Sequence, residues 1–296
     1  MAETSADILA DILMEEIFGV KKPVMGMVHF LPLPGSPLYD AAGGVKKIRD
    51  AAMKDAEALV AAGFDGLSFS NEGDRPYLSD VDKTTVAVMS SVISEVASHF
   101  RKPFGLSVLA DPEAAIAIGS ATGANYVRIF LSWVFVSDWG IVDPCAGGLQ
   151  RFRRNCGGMG LRVFANISGH TEPLGGRKLK DIAAGAVKFG LADAVCLAGT
   201  TAGSPIAGKD LQQAKEGAQN APVIAGTGVS LENVDEMMRL SDGVIVGTSV
   251  KIDGDTFNLV DAARAKRFMD RAAEVRATLA SCGLHDRELE KEAARP

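Results

Sequence analysis

Val223-Ile224-Ala225-Gly226-Thr227-Gly228-Val229-Ser230 and Gly243-Val244-Ile245-Val246-Gly247-Thr248-Ser249-Val250-Lys251 repeat one design, a short apolar run that breaks into glycine and hydroxyl residues. Each run suits a buried strand and is too short for a core helix. Glycines at such turns let backbone N–H groups face an anion with no side chain in the way, and parallel barrels place a phosphate site after their last two strands. The expected phosphate-binding set is Gly226, Thr227, Gly228, Gly247, Thr248, Ser249 and Lys251, the lysine as a point charge, with the Ser230 hydroxyl nearby. Such turns also serve simply to cap helices, but two of them on consecutive strands favour the phosphate.

Six more runs of the same kind precede these two, at 24–28, 66–69, 105–109, 126–131, 162–166 and 194–197. Helical patterns separate them at 45–62, 84–100, 112–122, 179–189, 209–218 and 231–240, and a last one follows at 262–279. Eight strand–helix units without a break in composition predict an α/β fold, a (β/α)8 TIM barrel. The joints Gly63-Phe64-Asp65-Gly66, Gly123-Ala124-Asn125-Tyr126, Leu191-Ala192-Asp193-Ala194 and Leu240-Ser241-Asp242-Gly243 recur, with a small or polar residue closing the helix and Asp or Asn opening the strand. Over residues 5–18, Ile8, Leu9, Ile12, Leu13 and Ile17 stand at helical spacing against acids, which predicts an N-terminal capping helix docked on the barrel floor. The expected organisation is an N-terminal helix packed on the barrel (1–22), a single barrel domain (23–282) and a charged, frayed C-terminal tail (283–296).

Composition sets the outer bounds. A length of 296 residues fits two ordinary domains or one barrel of about 250 residues with extensions. Only 6% of residues are aromatic, so small aliphatic side chains must fill the core, as where helices lie close on a sheet. A net charge of -6 without a dense basic stripe argues against nucleic acid as a partner. The four cysteines form no Cys-x-x-Cys pair and have no histidine cluster beside them, so neither a disulfide framework nor a zinc site is expected. Acids run through the first twenty residues, unlike a signal peptide, and a reducing cytoplasm is the expected location. The most apolar stretch, 126–142, is interrupted by Arg128 and Asp138 and falls short of the roughly 18 to 20 residues of a spanning helix, so no transmembrane segment is expected.

In a barrel, residues just past the strands share one mouth, where barrel enzymes carry their chemistry. His29 opens a loop stiffened by Pro32, Pro34 and Pro37. Asn71, Glu72 and Asp74 follow the second run, and general acid–base chemistry needs a carboxylate whose pKa is raised by burial or by a like charge. Asp111 precedes Pro112, a position that serves an N-cap as readily as a site. Arg128 lies inside an apolar strand and must be paired with an acid or an anionic ligand. Asn166 ends the fifth run and His170 follows it, completing a candidate catalytic set of His29, Asn71, Glu72, Asp74, Asp111, Arg128, Asn166 and His170. The long fourth loop, 132–147, carries Trp133 and Trp139 and suggests a lid or a subunit contact, while the turn 198–205 could close over a ligand. Strands one to seven offer no lysine for a Schiff base, no Gly-x-Gly-x-x-Gly follows the first strand, and no nucleophile elbow appears. No cofactor is expected; His29, Glu72, Asp74 and His170 include the types that bind a divalent metal, but their spacing does not require one.

The stretches GMVHFLPLPGSP from Gly26, NEGDRPY from Asn71, Ser137-Asp138-Trp139-Gly140, GHTEPL from Gly169, TAGSP from Thr201, AGTGVSLENV from Ala225 and VGTSVKIDG from Val246 together resemble the BtpA/SgcQ family, from Val24 to Met269. The resemblance implies a TIM-type barrel with a phosphate-binding end. It implies a photosystem I biogenesis role for one branch of the family and carbohydrate-operon membership for the other. Where the photosynthetic branch carries Glu-Asn-aromatic-Gly-Asp, this chain has Ser70-Asn71-Glu72-Gly73-Asp74, and Asn166-Ile167 leads to Gly169-His170 in place of an Asp-Val strand and Lys-His. Leu259 stands where that branch has a proline, so the chain looks more like the sugar-operon branch. The expectation is an enzyme of isomerase, lyase or nucleosidase type that acts by acid–base chemistry on a phosphorylated sugar or nucleoside-like metabolite, as a homo-oligomer. The competing expectation is a non-catalytic assembly or regulatory factor that keeps the barrel as a ligand-binding scaffold.

Overall fold

A computed structural model describes the backbone of residues 5–199 and 204–293 and the side chains of residues 7–199 and 204–281. In chain order the first half holds α1 (Ser5–Phe18), β1 (Val24–His29), α2 (Gly44–Ala62), β2 (Gly66–Ser70), α3 (Lys83–Phe100), β3 (Phe104–Ser107), α4 (Pro112–Thr122), β4 (Tyr126–Ile129), β5 (Phe135–Ser137), β6 (Gly140–Val142) and α5 (Ala146–Asn155). The second half holds β7 (Arg162–Asn166), β8 (Thr171–Pro173), α6 (Leu179–Lys188), β9 (Ala194–Leu197), α7 (Gly208–Ala218), β10 (Val223–Ala225), α8 (Val234–Leu240), β11 (Gly243–Val246) and α9 (Ala262–Ala293). The eight parallel strands β1, β2, β3, β4, β7, β9, β10 and β11 close into a barrel, with Val24 in register with Val244 at the seam. These are the eight apolar runs of the sequence, and all but a few of their residues are buried, as strands covered on both faces must be.

The recurring joints now have a physical cause. The side-chain oxygen of each acid or amide takes the backbone N–H at the start of the preceding barrel strand: Asp65 from Val24 at 2.7 Å, Asn125 from Phe104 at 3.0 Å, Asp193 from Val163 at 2.8 Å and Asp242 from Val223 at 2.8 Å. A first-residue N–H has no partner within its own strand start, and an aspartate or asparagine one strand along satisfies it. The acids are neutralised in turn by Arg276 on Asp65, Arg162 on Asp193 and Lys215 on Asp242.

Helix α1 lies across this floor, with Ile17 and Leu13 of the expected apolar face turned toward it. Ile8, Leu9 and Ile12 are about half exposed (46, 47 and 53%), while Met14, Ile17 and Phe18 insert toward Tyr126 and Phe164 in the barrel interior. Ion pairs along the helix add to this docking: Asp7 meets Lys215, Asp11 meets Lys21 and Glu16 meets Arg162. At the other end of the chain, α9 continues to Ala293, across most of the stretch expected to fray. That stretch is rich in Glu, Lys, Arg, Leu and Ala, all good helix formers.

At the opposite end, the long fourth loop folds back as β5 and β6, and β8 from the fifth loop joins them in a three-stranded antiparallel sheet. The loop then enters α5, a helix the sequence patterns did not announce because its apolar face is reduced to Leu149 and Phe152. The sheet ties two mouth loops together, with the Trp133 indole donating to the Leu174 carbonyl at 3.1 Å.

Candidate active site

A cavity of about 130 Å³ opens at the C-terminal end of the barrel strands. It is lined by His29, Glu72, Arg128 and His170 and by the turns Gly226 to Ser230 and Gly247 to Ser249. Ser70, Ser107 and Thr256 complete its polar lining. Seven of the barrel strands and the loops after them, β1, β2, β3, β4, β7, β10 and β11, thus bring together residues that lie far apart in the chain.

The glycine side is held open by backbone constraints. Gly228 sits at φ 91°, and a Cβ there would fall 1.7 Å from the carbonyl oxygen of Ser204, so only glycine fits. Asn233 locks the turn, accepting from the Ser230 amide and donating to the Gly228 carbonyl, both at 2.8 Å. In the adjacent turn Val250 N donates to Gly247 O and Lys251 N to Thr248 O, so bonding starts beyond the Thr248 and Ser249 amides. The hydroxyls are less available than expected. Ser249 donates to the Val229 carbonyl at 2.8 Å, and Thr248 Oγ1 lies 2.5 Å from Thr256 Oγ1.

Lys251 departs from its expected place. It is fully buried behind the turn, with Nζ 2.5 Å from Asp55 of α2, and the other Asp55 oxygen accepts the Val260 amide. A lysine with its ammonium in a buried ion pair is a structural tie between α2 and the segment after β11, not a phosphate ligand. Its charge still reaches the mouth through the wall.

Beside the second turn, where its Cε1 lies 3.3 Å from the point at which a side chain on Gly247 would begin, His29 donates from Nδ1 to the Thr256 carbonyl at 3.1 Å, which leaves Nε2 as an acceptor. Burial, followed by the nearby Lys251 and Arg128 charges, pushes its pKa down to about 3. It is therefore neutral at physiological pH and suits accepting a hydrogen bond better than holding a proton. His170 is also lowered, by burial and then by Arg128, with Asp138 opposing. It is held at φ 53° beside Gly169, where a Cβ would strike Ala198, so the turn aims the imidazole into the mouth. Glu72 moves the other way: burial raises its pKa, against the pull of Arg128 and a 3.3 Å hydrogen bond from Ser70. A carboxylate raised toward neutrality is the group that can both take and return a proton.

Arg128 projects from β4 with Nε donating to Asn166 at 2.9 Å. Asn166 is thus the residue that orients the guanidinium, and it does not line the main cavity. The other three acid and amide candidates serve the loops. Asn71 accepts the Leu109 amide at 2.8 Å, Asp74 accepts the Leu33 amide at 3.2 Å, and Asp111 caps α4 through Ala114 while holding the Val81 amide, both at 2.9 Å. The sequence did not single out Ser107 or Thr256. Thr256 arrives over His29 only because the chain after β11 turns back through a short 3-10 segment, Ile252–Gly254. Residues 200–203 of the turn expected to close over a ligand lie outside the described residues. Among the described residues, no three His, Cys, Asp or Glu side chains converge as metal ligands, and no helix is long and apolar enough to cross a membrane.

Comparison with known proteins agrees with this architecture. The solved thiamine phosphate pyrophosphorylase from Pyrococcus furiosus superposes with a TM-score of 0.54 over 86% of this chain and 96% of that one, at 14% identity, which shows the shared barrel fold. The putative sgc region protein SgcQ of Escherichia coli (strain K12) is 36% identical over 89% of this chain and 98% of its own length. The photosystem I biogenesis protein BtpA of Synechocystis is 32% identical over 88% of this chain and 91% of its own. The sequence signature of the BtpA family matches residues 20–274, so nearly the whole barrel, with both turns and every residue lining the mouth, falls within it, and the chain belongs to the BtpA family.

Proposed function

We propose that this barrel is an enzyme that binds a phosphorylated sugar or nucleoside-like metabolite and moves protons on it. The observation that carries the proposal is the composition of the mouth. Two glycine turns meet a raised carboxylate, two neutral imidazoles and a cation in one cavity. The phosphate is held by the turns after β10 and β11. Glu72 takes a proton from the carbon or hydroxyl next to the reacting carbonyl, and the neutral His170 donates a hydrogen bond to the oxygen where charge develops. Keeping both imidazoles neutral lets them serve as hydrogen-bonding groups without stabilising Glu72 as a permanent ion pair. This combination suits isomerase or lyase chemistry of phosphosugars; nucleosidase chemistry uses the same parts with the proton delivered to a leaving base.

Calorimetry with inorganic phosphate and pentose 5-phosphates tests the binding half. The native protein should bind, and Thr227→Asp, which sets a carboxylate in the turn, should weaken binding by roughly tenfold or more. Native protein that binds none of them overturns the proposal. For the proton half, a panel of phosphosugars in D2O should show exchange of a C–H next to the carbonyl that Glu72→Gln abolishes; unchanged exchange in that variant removes Glu72 from the chemistry.

A second reading draws on two observations, the name of the Synechocystis relative and the exposed Ile8, Leu9 and Ile12 on α1. In it the barrel is a non-catalytic assembly factor at a membrane surface. Flotation with neutral and anionic liposomes separates the two, because the enzyme of the first reading stays out of the lipid fraction.

A further inference from the structure

Among the described residues, Arg128 is a cation of the mouth that meets no carboxylate in an ion pair. Its Nε is taken by Asn166, a neutral partner, and among the described residues no carboxylate lies within ion-pair distance of the guanidinium. The undescribed stretch 200–203, Thr-Thr-Ala-Gly, carries no charge either. Glu72 feels the Arg128 charge but makes its hydrogen bond with Ser70, leaving the cavity between the two. The floor of the same barrel shows how this chain treats charges it means to neutralise, since Arg162 and Arg276 each meet an aspartate there. A half-buried guanidinium with its terminal nitrogens unspent is costly unless a ligand supplies the anion. Its planar fork is built for the two oxygens of a carboxylate.

Position sets this charge beside the first glycine turn, on the inward side of it. Nη1 lies 3.7 Å from the point where a side chain on Gly226 would begin, so the fork faces the space just inward of the first glycine turn. A phosphate seated on the amides of the two turns would leave a group a few bonds away facing Arg128. We infer that the ligand of this site carries a second anionic group, a carboxylate, and that Arg128, oriented by Asn166, is the residue that selects for it. The inference rests on the proposed phosphate site and narrows its substrate class to phosphorylated hydroxy or keto acids. In that role Arg128 is a specificity residue, and Asn166 is a positioning residue that acts through it.

Matched ligand pairs test this. 2-Phosphoglycolate against 2-hydroxyethyl phosphate, and 3-phosphoglycerate against glycerol 3-phosphate, differ by a carboxylate at two arm lengths. Titration calorimetry of the native protein should give at least one carboxylate ligand roughly tenfold tighter binding than its neutral partner. Arg128→Met should erase that preference while inorganic phosphate still binds. Arg128→Lys, which keeps the charge and the fold but loses the fork, should keep only a minor part of it, and so serves if the methionine variant does not fold. Phosphate binding without a carboxylate preference, or a preference that survives in the Arg128 variants, overturns the inference and leaves the proposed function standing. Failure of every phosphorylated ligand and of phosphate itself overturns both.

Discussion

The two ends of this barrel handle charge in opposite ways. At the floor, Asp65, Asp193 and Asp242 accept strand-start amides and meet Arg276, Arg162 and Lys215, and α1 adds Phe18 and Ile17 as an apolar plug. At the mouth, Glu72, His29, His170 and Arg128 surround a cavity with their pKa values displaced or their donors unspent. A fold gains nothing in stability from such an arrangement, whereas each paired group at the floor satisfies a buried amide or charge. The contrast separates residues that hold the barrel together from those available for chemistry, without any reference to a ligand.

That contrast can be broken or sharpened by substitution. The largest effect is expected for Lys251→Met, at the wall between the two classes. Removing the lysine leaves Asp55 buried without its counter-ion and should cost about 3–5 kcal/mol in urea unfolding while phosphate affinity changes little. A large loss of phosphate affinity without loss of stability would return Lys251 to the mouth. Next, Phe18→Ala at the floor empties the plug against Tyr126 and should cost about 3 kcal/mol, with ligand binding unchanged.

The mouth should show smaller effects, with pH dependence. Because the folded His29 pKa is pushed down to about 3 from 6.5, the unfolded chain alone takes a proton as pH falls below 6.5. Stability should therefore fall by up to about 1.4 kcal/mol per pH unit on the acid side, and His29→Asn should remove that share of the slope between pH 6 and pH 4.5. An unchanged slope would mean the imidazole titrates normally in the fold. The smallest effect belongs to Glu72→Gln. Its raised pKa means that ionisation costs the folded state as pH climbs through the raised value, so the variant should match or slightly exceed native stability at pH 8. A destabilised Glu72→Gln would place this carboxylate with the structural acids of the floor.

Much of this was visible in the chain before folding was considered. The eight strands fall at the eight apolar runs, and His29, Glu72, Arg128, His170 and the glycine turns meet in one cavity because each sits just past or inside a barrel strand. The misplacements share a cause. Lys251 looks like a phosphate ligand until Asp55, on a helix near the start of the chain, claims it. Asn71, Asp74 and Asp111 carry the residue types of a site, but which backbone amide each accepts depends on loops folded from elsewhere. Likewise Ile8, Leu9, Ile12, Leu13 and Ile17 form one apolar stripe in the sequence, and only the docked helix shows that Ile17, with Met14 and Phe18, takes the buried side while Ile8, Leu9 and Ile12 stay half exposed.

By itself the sequence determined the strands, the turns and the mouth, because periodicity and glycine placement are local properties that act through backbone geometry. Only the tertiary structure decided which charged side chain is spent on the fold and which remains for a ligand. An ion pair such as Asp55–Lys251, or the lack of one at Arg128, is set by distances between segments far apart in the chain, and no local pattern records them.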